Sequence, residues 1–191
     1  MELSTIVLLV ILAVLSLYGI VIYNALVTIK HAVSQSWSNI DVLLKQRNEE
    51  LPKLVAVARE YMNFEQETLQ RVTEARNHAA KAQQDGDMAA LGAAENSIRL
   101  GLGQFFAVAE AYPDLKANES FQHLSRRITG LENAIADRRE YYNAAANRNN
   151  VRIQQFPDVI VARLLGFKPF SLLQFDEKEL ADVDLTKLFK Q

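Results

Sequence analysis

A long uncharged apolar run near the N-terminus constrains this chain more than any other feature. From Leu3 to Ile29 there is no Asp, Glu, Lys or Arg. About 20 predominantly apolar residues are enough for a helix to span a bilayer. The run lacks the basic leader, short apolar core and small-residue cleavage site that are typical of a removed signal peptide. The sequence therefore predicts an uncleaved transmembrane anchor over residues 1–29, with residues 3–29 in the lipid bilayer.

The basic residues around this anchor predict its orientation. The short N-terminal end carries no Lys or Arg, whereas Lys30, Lys45 and Arg47 follow on the other side. Basic flanks tend to stay in the cytoplasm. The pattern favours a single-pass membrane protein with the bulk of the chain in the cytoplasm.

Composition excludes several classes of protein and of site. The chain has 191 residues, which suits one domain of ordinary size. Its formal net charge is -2, which gives no reason to expect a nucleic-acid partner. It contains no cysteine, so disulfides and thiolate metal sites are excluded.

The region after the anchor has the spacing of a long packed helix. Alternating steps of four and three residues are typical of the buried stripe of a helix. Here they select Val33, Trp37, Ile40, Leu44, Arg47, Leu51 and Leu54. The pattern predicts a coiled-coil-like helix that continues from the anchor to a turn at Gly86. Pro52 lies inside this helix and should bend it, because proline removes one helical hydrogen bond and crowds the preceding turn.

Three further helices are predicted. The second covers residues 88–112, and Asp87 is its predicted N-cap. The third begins with Asn118 as N-cap and has its own stripe of apolar side chains. A short fourth helix follows Pro157. The predicted fold is all-α: an antiparallel long-helix bundle of the four-helix type over residues 30–167, followed by a C-terminal extension over residues 168–191.

Two arginines occupy positions where these stripes call for apolar side chains. They are Arg47 in the first long helix and Arg138 in the third. A buried arginine needs a charged partner, because an unpaired buried charge costs several kcal/mol. We predict that Arg47, Arg138 and Glu132 form a structural polar layer, with Asp41 and Asp137 as other candidate partners. The layer either fixes helix register, as polar residues do in coiled coils, or binds an ion or ligand.

The fourth helix has more apolar side chains than a short helix usually hides. We take Ile160, Leu164, Leu165 and Phe167 as interface candidates. Such a helix is either packed into its own chain or in contact with another subunit or with the membrane. The sequence leaves these alternatives open.

Several ordered blocks of residues resemble the LemA family. They are Tyr23-Asn24-x-Leu26-Val27, Trp37-x-x-Ile40-Asp41-Val42-x-Leu44, Leu51-Pro52-x-Leu54-Val55, AYPDLKANESFQHL (111–124), ENAIADRREYYN (132–143) and FPDVIVARLLGF (156–167). The resemblance covers about residues 23–168. It implies an N-terminal membrane helix and an antiparallel helical bundle in a bacterial cell-membrane protein, and it implies no established biochemical activity.

The residues that could carry chemistry form no recognisable site. His31, His78 and His123 are scattered and do not have the spacing of a metal motif. We therefore predict no catalytic, cofactor-binding or metal-binding residues.

The predicted function is a non-enzymatic, membrane-anchored scaffold or adaptor that forms homo-oligomers and engages other membrane or envelope proteins. The alternative is an enzyme subunit or ligand-binding bundle of unrecognised type. A pore is a third hypothesis, for which the apolar run offers only Ser16 and Gly19 as polar or small residues.

Overall fold

Helices form the whole of the regular structure in the described part of the chain. The computed structural model describes residues 3–62 and 65–173, and these contain no β-strand. The helices are α1 (Leu3–Arg59), α2 (Gln66–Asp85), α3 (Met88–Ala109), α4 (Pro113–Ala117), α5 (Glu119–Arg152) and α6 (Asp158–Leu164). The predicted all-α class is confirmed.

The chain divides into two compact units. The anchor unit comprises the described residues of Met1–Asp41 and Arg138–Leu172, and the bundle unit comprises those of Val42–Asp137 and Leu173–Gln191. Helices α1 and α5 each contribute to both units. The predicted extension over residues 168–191 lies outside the described residues from position 174 onward.

Four long helical segments build the bundle unit: the C-terminal part of α1, then α2, α3 and the first part of α5. A Cβ atom added to Gly101 of α3 would lie 3.4 Å from Val72 of α2, so these two helices approach closely. The ring of Phe105 in α3 packs at a tilt of 52° against that of Phe121 in α5, with ring centroids 6.1 Å apart. The core consists of the apolar stripes of all four segments, including Leu44, Leu51, Leu54, Leu69, Val72, Leu91, Ile98, Leu102, Phe105 and Ile128.

Helix α1 ends at Arg59, so the prediction that it continues to Gly86 is wrong. The backbone N–H groups of Tyr61 and Met62 both donate to the carbonyl of Ala58, at 3.0 and 2.8 Å. Met62 is fully buried, and the Tyr61 hydroxyl accepts a hydrogen bond from the Asn118 side chain at 3.1 Å. Tertiary contacts therefore end this helix, and no glycine or proline marks the site in the sequence.

The predicted caps of the other helices are confirmed. Gly86 follows α2 with φ of 69°, a left-handed conformation that glycine adopts without strain. The Asp87 carboxylate accepts from the backbone N–H groups of Ala89 and Ala90 at the start of α3. The side chain of Asn118 accepts from the N–H of Phe121 at 3.0 Å and so caps α5.

Pro52 lies inside α1, and the helix continues past it. Proline has no N–H, so the carbonyl of Asn48, four residues earlier, loses its helical donor. Arg76 of α2 replaces that donor, because its Nε–H group donates to the Asn48 carbonyl at 3.2 Å. Helix α1 thereby tolerates the proline through a hydrogen bond from a neighbouring helix. The predicted bend at Pro52 stays a prediction.

The anchor unit begins with the apolar part of α1. Its large apolar side chains from Leu3 to Val21 are 44% to 78% exposed. Helix α1 is long and apolar enough to cross a membrane. Burial begins at Ile22 and Leu26, which pack with Ile153 and Ala162 in one cluster.

Further along α1, Trp37 packs against Tyr142 of α5 with ring centroids 5.7 Å apart, as the seam position of Trp37 predicts. Burial raises the pKa of the Tyr142 hydroxyl.

Side chains of α5 hold the extended segment after α6 in place. Asn150 donates to the carbonyl of Phe170 and accepts from its N–H, both at 2.8 Å. Asn149 donates to the Lys168 carbonyl at 3.2 Å, and the Tyr142 hydroxyl donates to the Ser171 carbonyl at 2.8 Å. We call residues 168–171 the strap. The asparagines thus give the strap the hydrogen bonds that a sheet or helix would otherwise supply.

Candidate functional site

Arg47 is the most distinctive side chain of the bundle unit. It has no exposed surface and is among the largest fully buried side chains. The four-and-three spacing of α1 puts position 47 on the same buried face as Leu44 and Leu51. A charged group in this place must be compensated by its neighbours.

Two glutamates from two other helices surround the Arg47 guanidinium. Its Nη1 and Nη2 groups donate to the two carboxylate oxygens of Glu95 in α3, each at 2.6 Å. The Nη1 group also donates to Glu132 of α5 at 2.9 Å. This bidentate geometry is the strongest form of an arginine–carboxylate pair. Helices α1, α3 and α5 therefore meet at one polar layer, which we call the Arg47 layer.

Burial and the neighbouring charges shift the pKa values of Arg47 and Glu132 in opposite directions. For Arg47, burial lowers the pKa, but the hydrogen bonds and charges of Glu95 and then Glu132 outweigh it and raise the pKa above its ordinary value. Burial raises the pKa of Glu132, and the attraction of Arg47 opposes this effect only in part. The guanidinium therefore stays charged.

A second ion pair lies one turn further along α1. Glu50 is buried, and its carboxylate lies 3.1 Å from Nε of Arg127 in α5 and 3.4 Å from the Lys53 ammonium. Arg127 and Lys53 are largely exposed, so water screens this pair more than it screens Arg47. The two pairs together connect α1 and α5 at successive turns.

Glu95 is not among the residues predicted from the sequence to form the polar layer, although its position in α3 indicates that it is buried. It lies four residues after Leu91 and three before Ile98, so it occupies the buried stripe of α3 as Arg47 occupies that of α1. Two opposite charges at stripe positions of two helices would have indicated the pair. Glu95 takes the place that the sequence analysis offered to Asp41 or Asp137.

The prediction that Arg138 is buried is wrong. Arg138 belongs to the anchor unit, where it is exposed and its guanidinium lies 5.9 Å from the centre of the Tyr141 ring. After the buried Ile135 the stripe of α5 takes a step of four residues to the half-buried Arg139, and then a step of three to Tyr142. The predicted stripe takes the step of three first, from Ile135 to Arg138, and then a step of four to Tyr142.

The interface candidates of α6 divide into two groups. Ile160, Leu164 and Leu165 are 58%, 81% and 53% exposed. Phe167 is half-buried: it packs against the Ile22 cluster and sets its ring edge-on to that of Tyr23, with centroids 6.1 Å apart. Packing into the same chain thus accounts for Phe167 and leaves the other three uncovered.

A groove between α2 and α3 in the bundle unit is open to solvent and is not an enclosed cavity. Its volume is about 640 Å³, and its lining combines four alanines, Leu100 and Gly101 with five polar residues: Arg71, Glu74, His78, Ser97 and Gln104. Arg71 on its rim already binds Gln104 and Glu67, at 3.2 and 2.6 Å. Within residues 3–62 and 65–173 no three His, Asp or Glu side chains are grouped to hold a metal ion. The candidate site is therefore the Arg47 layer, in which the Nη groups of Arg47 are bound by Glu95 and Glu132.

Comparison with known proteins identifies the family. The model of the LemA family matches residues 36–186, a range that contains the whole Arg47 layer. The chain belongs to the LemA family. Protein LemA of Metamycoplasma hominis is 31% identical over 166 residues, covering 86% of this chain and 74% of that protein.

Two other relatives have a different name. Magnetosome protein MamQ 1 of Paramagnetospirillum magneticum and magnetosome protein MamQ of Magnetospirillum gryphiswaldense are 25% and 24% identical over 186 residues, covering 85% of this chain and 68% of each relative. Membership of the LemA family and the apolar part of α1 together support a membrane-associated helical protein.

Proposed function

We propose that this LemA-family protein is a non-enzymatic, membrane-anchored scaffold that self-associates and engages other membrane or envelope proteins. The observation that carries the proposal is the continuity of α1. One helix of 57 residues contains both the exposed apolar run and the buried face with Arg47. A bundle built on such a helix is attached to the bilayer by its own backbone.

The Arg47 layer suits a scaffold better than it suits a catalyst. Both terminal nitrogens of the guanidinium are already bound by carboxylates of the same chain. Buried polar contacts of this kind are known to fix helix register and pairing. We therefore assign the layer a structural role, in which it holds the helices of the bundle unit in one arrangement.

The alternative of an enzyme or ligand-binding bundle has less support. Ligand sites are usually concave and lined by a few converging polar groups. The groove between α2 and α3 is open to solvent, and the Arg71 guanidinium in its lining is already bonded to Gln104 and Glu67. Two relatives are named for the magnetosome, and neither name refers to a reaction. A structural role is the simpler proposal for this chain.

Self-association is expected to involve the apolar part of α1. In a single chain nothing lies within 4 Å of a Cβ atom added to Gly19, and Ser16 stands one turn away with its hydroxyl bonded to the Leu12 carbonyl at 2.8 Å. Small residues on one face of a membrane helix allow close contact between helices. The proposed contact between copies therefore lies on this face.

The mass of the detergent-extracted protein tests this proposal. We expect a multiple of the 21.5 kDa chain for the wild type and a lower mass for Gly19→Leu. Val10→Leu is the matched control, because it enlarges an exposed side chain of the same helix without filling a small position. A wild-type mass of one chain would refute self-association. Equal masses for Gly19→Leu and wild type would show that the contact between copies does not involve Gly19.

We further propose that the protein is a single-pass protein of the bacterial inner membrane, with the bundle unit in the cytoplasm. The cysteine-free chain allows a direct test with single cysteines at exposed positions. Gln84→Cys, in α2, should be protected from a membrane-impermeant thiol reagent in intact cells, and Ser4→Cys, near the start of α1, should react. The reverse labelling pattern would invert the orientation.

A further inference from the structure

An uncovered apolar surface on and around α6 is not explained by the scaffold role alone. It consists of Phe156, Ile160, Leu164 and Leu165, and we call it the α6 patch. Phe156 and Leu164 are 82% and 81% exposed. Positions 156, 160 and 164 follow each other at steps of four, so Ile160 and Leu164 share one face of α6. Contiguous apolar surface of this kind marks a contact with another molecule or with a membrane.

The packing of α6 fixes where this patch lies along α1. Ala162 of α6 is buried in the cluster that contains Ile22 and Leu26 of α1. Phe167 contacts the ring of Tyr23. Helix α6 is therefore attached to α1 at residues 22–26, within the uncharged run.

The length of that run places the attachment at the edge of a bilayer. From Leu3 to Ile29 a helix extends about 40 Å at 1.5 Å per residue, whereas the hydrocarbon core of a bilayer is about 30 Å thick. A span that starts at Leu3 reaches the far side of that core near Tyr23. Tyrosine is enriched at this depth, where its ring and hydroxyl suit the boundary between lipid and water. A span placed in this way puts the α6 patch beside the headgroup region.

The exposed charged residues near the α6 patch are basic and complement the charge of anionic lipid headgroups. Arg163 and Lys168 are exposed on either side of Leu164 and Leu165, and Lys30 is exposed on α1. The one acidic residue of α6, Asp158, is buried and paired with Arg152. Apolar side chains next to exposed basic residues are typical of helices that lie in the interface of a membrane with anionic lipids.

The conformation of the patch is already set before any contact forms. Gly166 turns the chain after α6 with φ of 71°, and the strap is bound to Asn149, Asn150 and Tyr142. Little ordering is then needed when the patch meets its partner, which favours binding.

We propose that the α6 patch inserts into the headgroup–acyl boundary of the bilayer that α1 spans. This inference rests on the proposed membrane anchorage and goes beyond it, because it gives each chain a second, peripheral membrane contact. The two contacts together fix the rotation of α1 about its own axis relative to the membrane surface. A single transmembrane helix cannot do so.

Fluorescence quenching in vesicles tests the proposal on the full-length chain. Leu164→Cys carries an environment-sensitive fluorophore, and the vesicles contain phosphatidylcholine, phosphatidylglycerol and lipids with a spin label at a shallow or a deep acyl position. We expect blue-shifted emission that the shallow label quenches more than the deep label. Gln84→Cys should show neither effect. Leu12→Cys, in the middle of the apolar run, should be quenched most by the deep label.

Each outcome separates the inference from the proposed anchorage. A fluorophore at position 164 that emits as in water, while the one at position 12 is quenched, overturns the α6 contact and leaves the anchorage intact. Blue-shifted emission without quenching by either lipid label also overturns it and indicates that a second copy of the chain covers the patch. Absence of quenching at position 12 contradicts the anchorage itself.

Removal of the apolar side chains gives a second test. In a chain labelled at Leu165→Cys, the pair Ile160→Ser and Leu164→Ser should reduce quenching severalfold without loss of helicity, because both side chains are exposed. The matched control pair, Val42→Ser and Leu100→Ser, removes exposed apolar side chains of the bundle unit and should leave quenching unchanged. Unchanged quenching in the first pair would contradict the proposal.

Discussion

Replacement of Arg47 by methionine is expected to lower the free energy of unfolding by about 3–5 kcal/mol, because it leaves the Glu95 carboxylate buried without its cation. The side chain of Glu95 is 2% exposed, so water cannot replace the lost hydrogen bonds at 2.6 Å. Urea denaturation followed by far-ultraviolet circular dichroism measures the change. Arg138→Met is the matched control and should have little effect, since Arg138 is exposed in the anchor unit.

The double variant Arg47→Met with Glu95→Met distinguishes loss of a charge partner from loss of packing. Apolar side chains of similar volume often replace a buried ion pair without net loss of stability. We therefore expect the double variant to regain most of the stability that Arg47→Met loses. If the two single losses simply add, the stabilising role of the pair is contradicted.

Glu132→Gln should be the mildest change in this layer. Burial raises the pKa of Glu132 in the folded protein. A carboxyl with a raised folded pKa contributes stability below its unfolded pKa and loses that contribution as the pH rises through the folded value. At neutral pH the neutral amide therefore removes less stability than a substitution of Arg47.

Replacement of Pro52 by alanine is expected to raise the free energy of unfolding by about 1–2 kcal/mol. The full helical penalty of proline is about 3 kcal/mol, and the greater freedom of the unfolded alanine chain offsets part of the gain. The new N–H group can donate to the Asn48 carbonyl, which Arg76 now serves at 3.2 Å. Chemical denaturation of the wild type and the variant gives the difference.

A double-mutant cycle identifies the role of Arg76. In the wild type, Arg76→Leu should cost about 1–2 kcal/mol, because the Asn48 carbonyl is then left without this donor. In the Pro52→Ala background the same substitution should cost clearly less. Arg71→Leu, at an exposed position of the same helix, is the control. An equal cost of Arg76→Leu in both backgrounds would show that the two residues are independent.

The sequence by itself determined the helical character of the chain and the faces that are buried. The stripe that contains Val33, Ile40, Leu44, Leu51 and Leu54 is buried as its spacing predicts, since side chains at steps of three and four share one side of a helix. The caps at Asp87 and Asn118 and the glycine turn at Gly86 were also predictable, because each is a local interaction between neighbours in the chain.

The tertiary structure decided where α1 ends and which charged residues pair. Helix α1 stops because Met62 is buried and Tyr61 binds Asn118, a residue 57 positions later. Arg47 finds Glu95 and Glu132, which are 48 and 85 positions away. Local spacing predicts that a side chain is buried, but only the packing of separate helices determines its partner. In α5 the buried stripe steps by four residues and not by three after Ile135, which leaves Arg138 on the surface. Burial depends on which side of a helix the neighbouring elements cover.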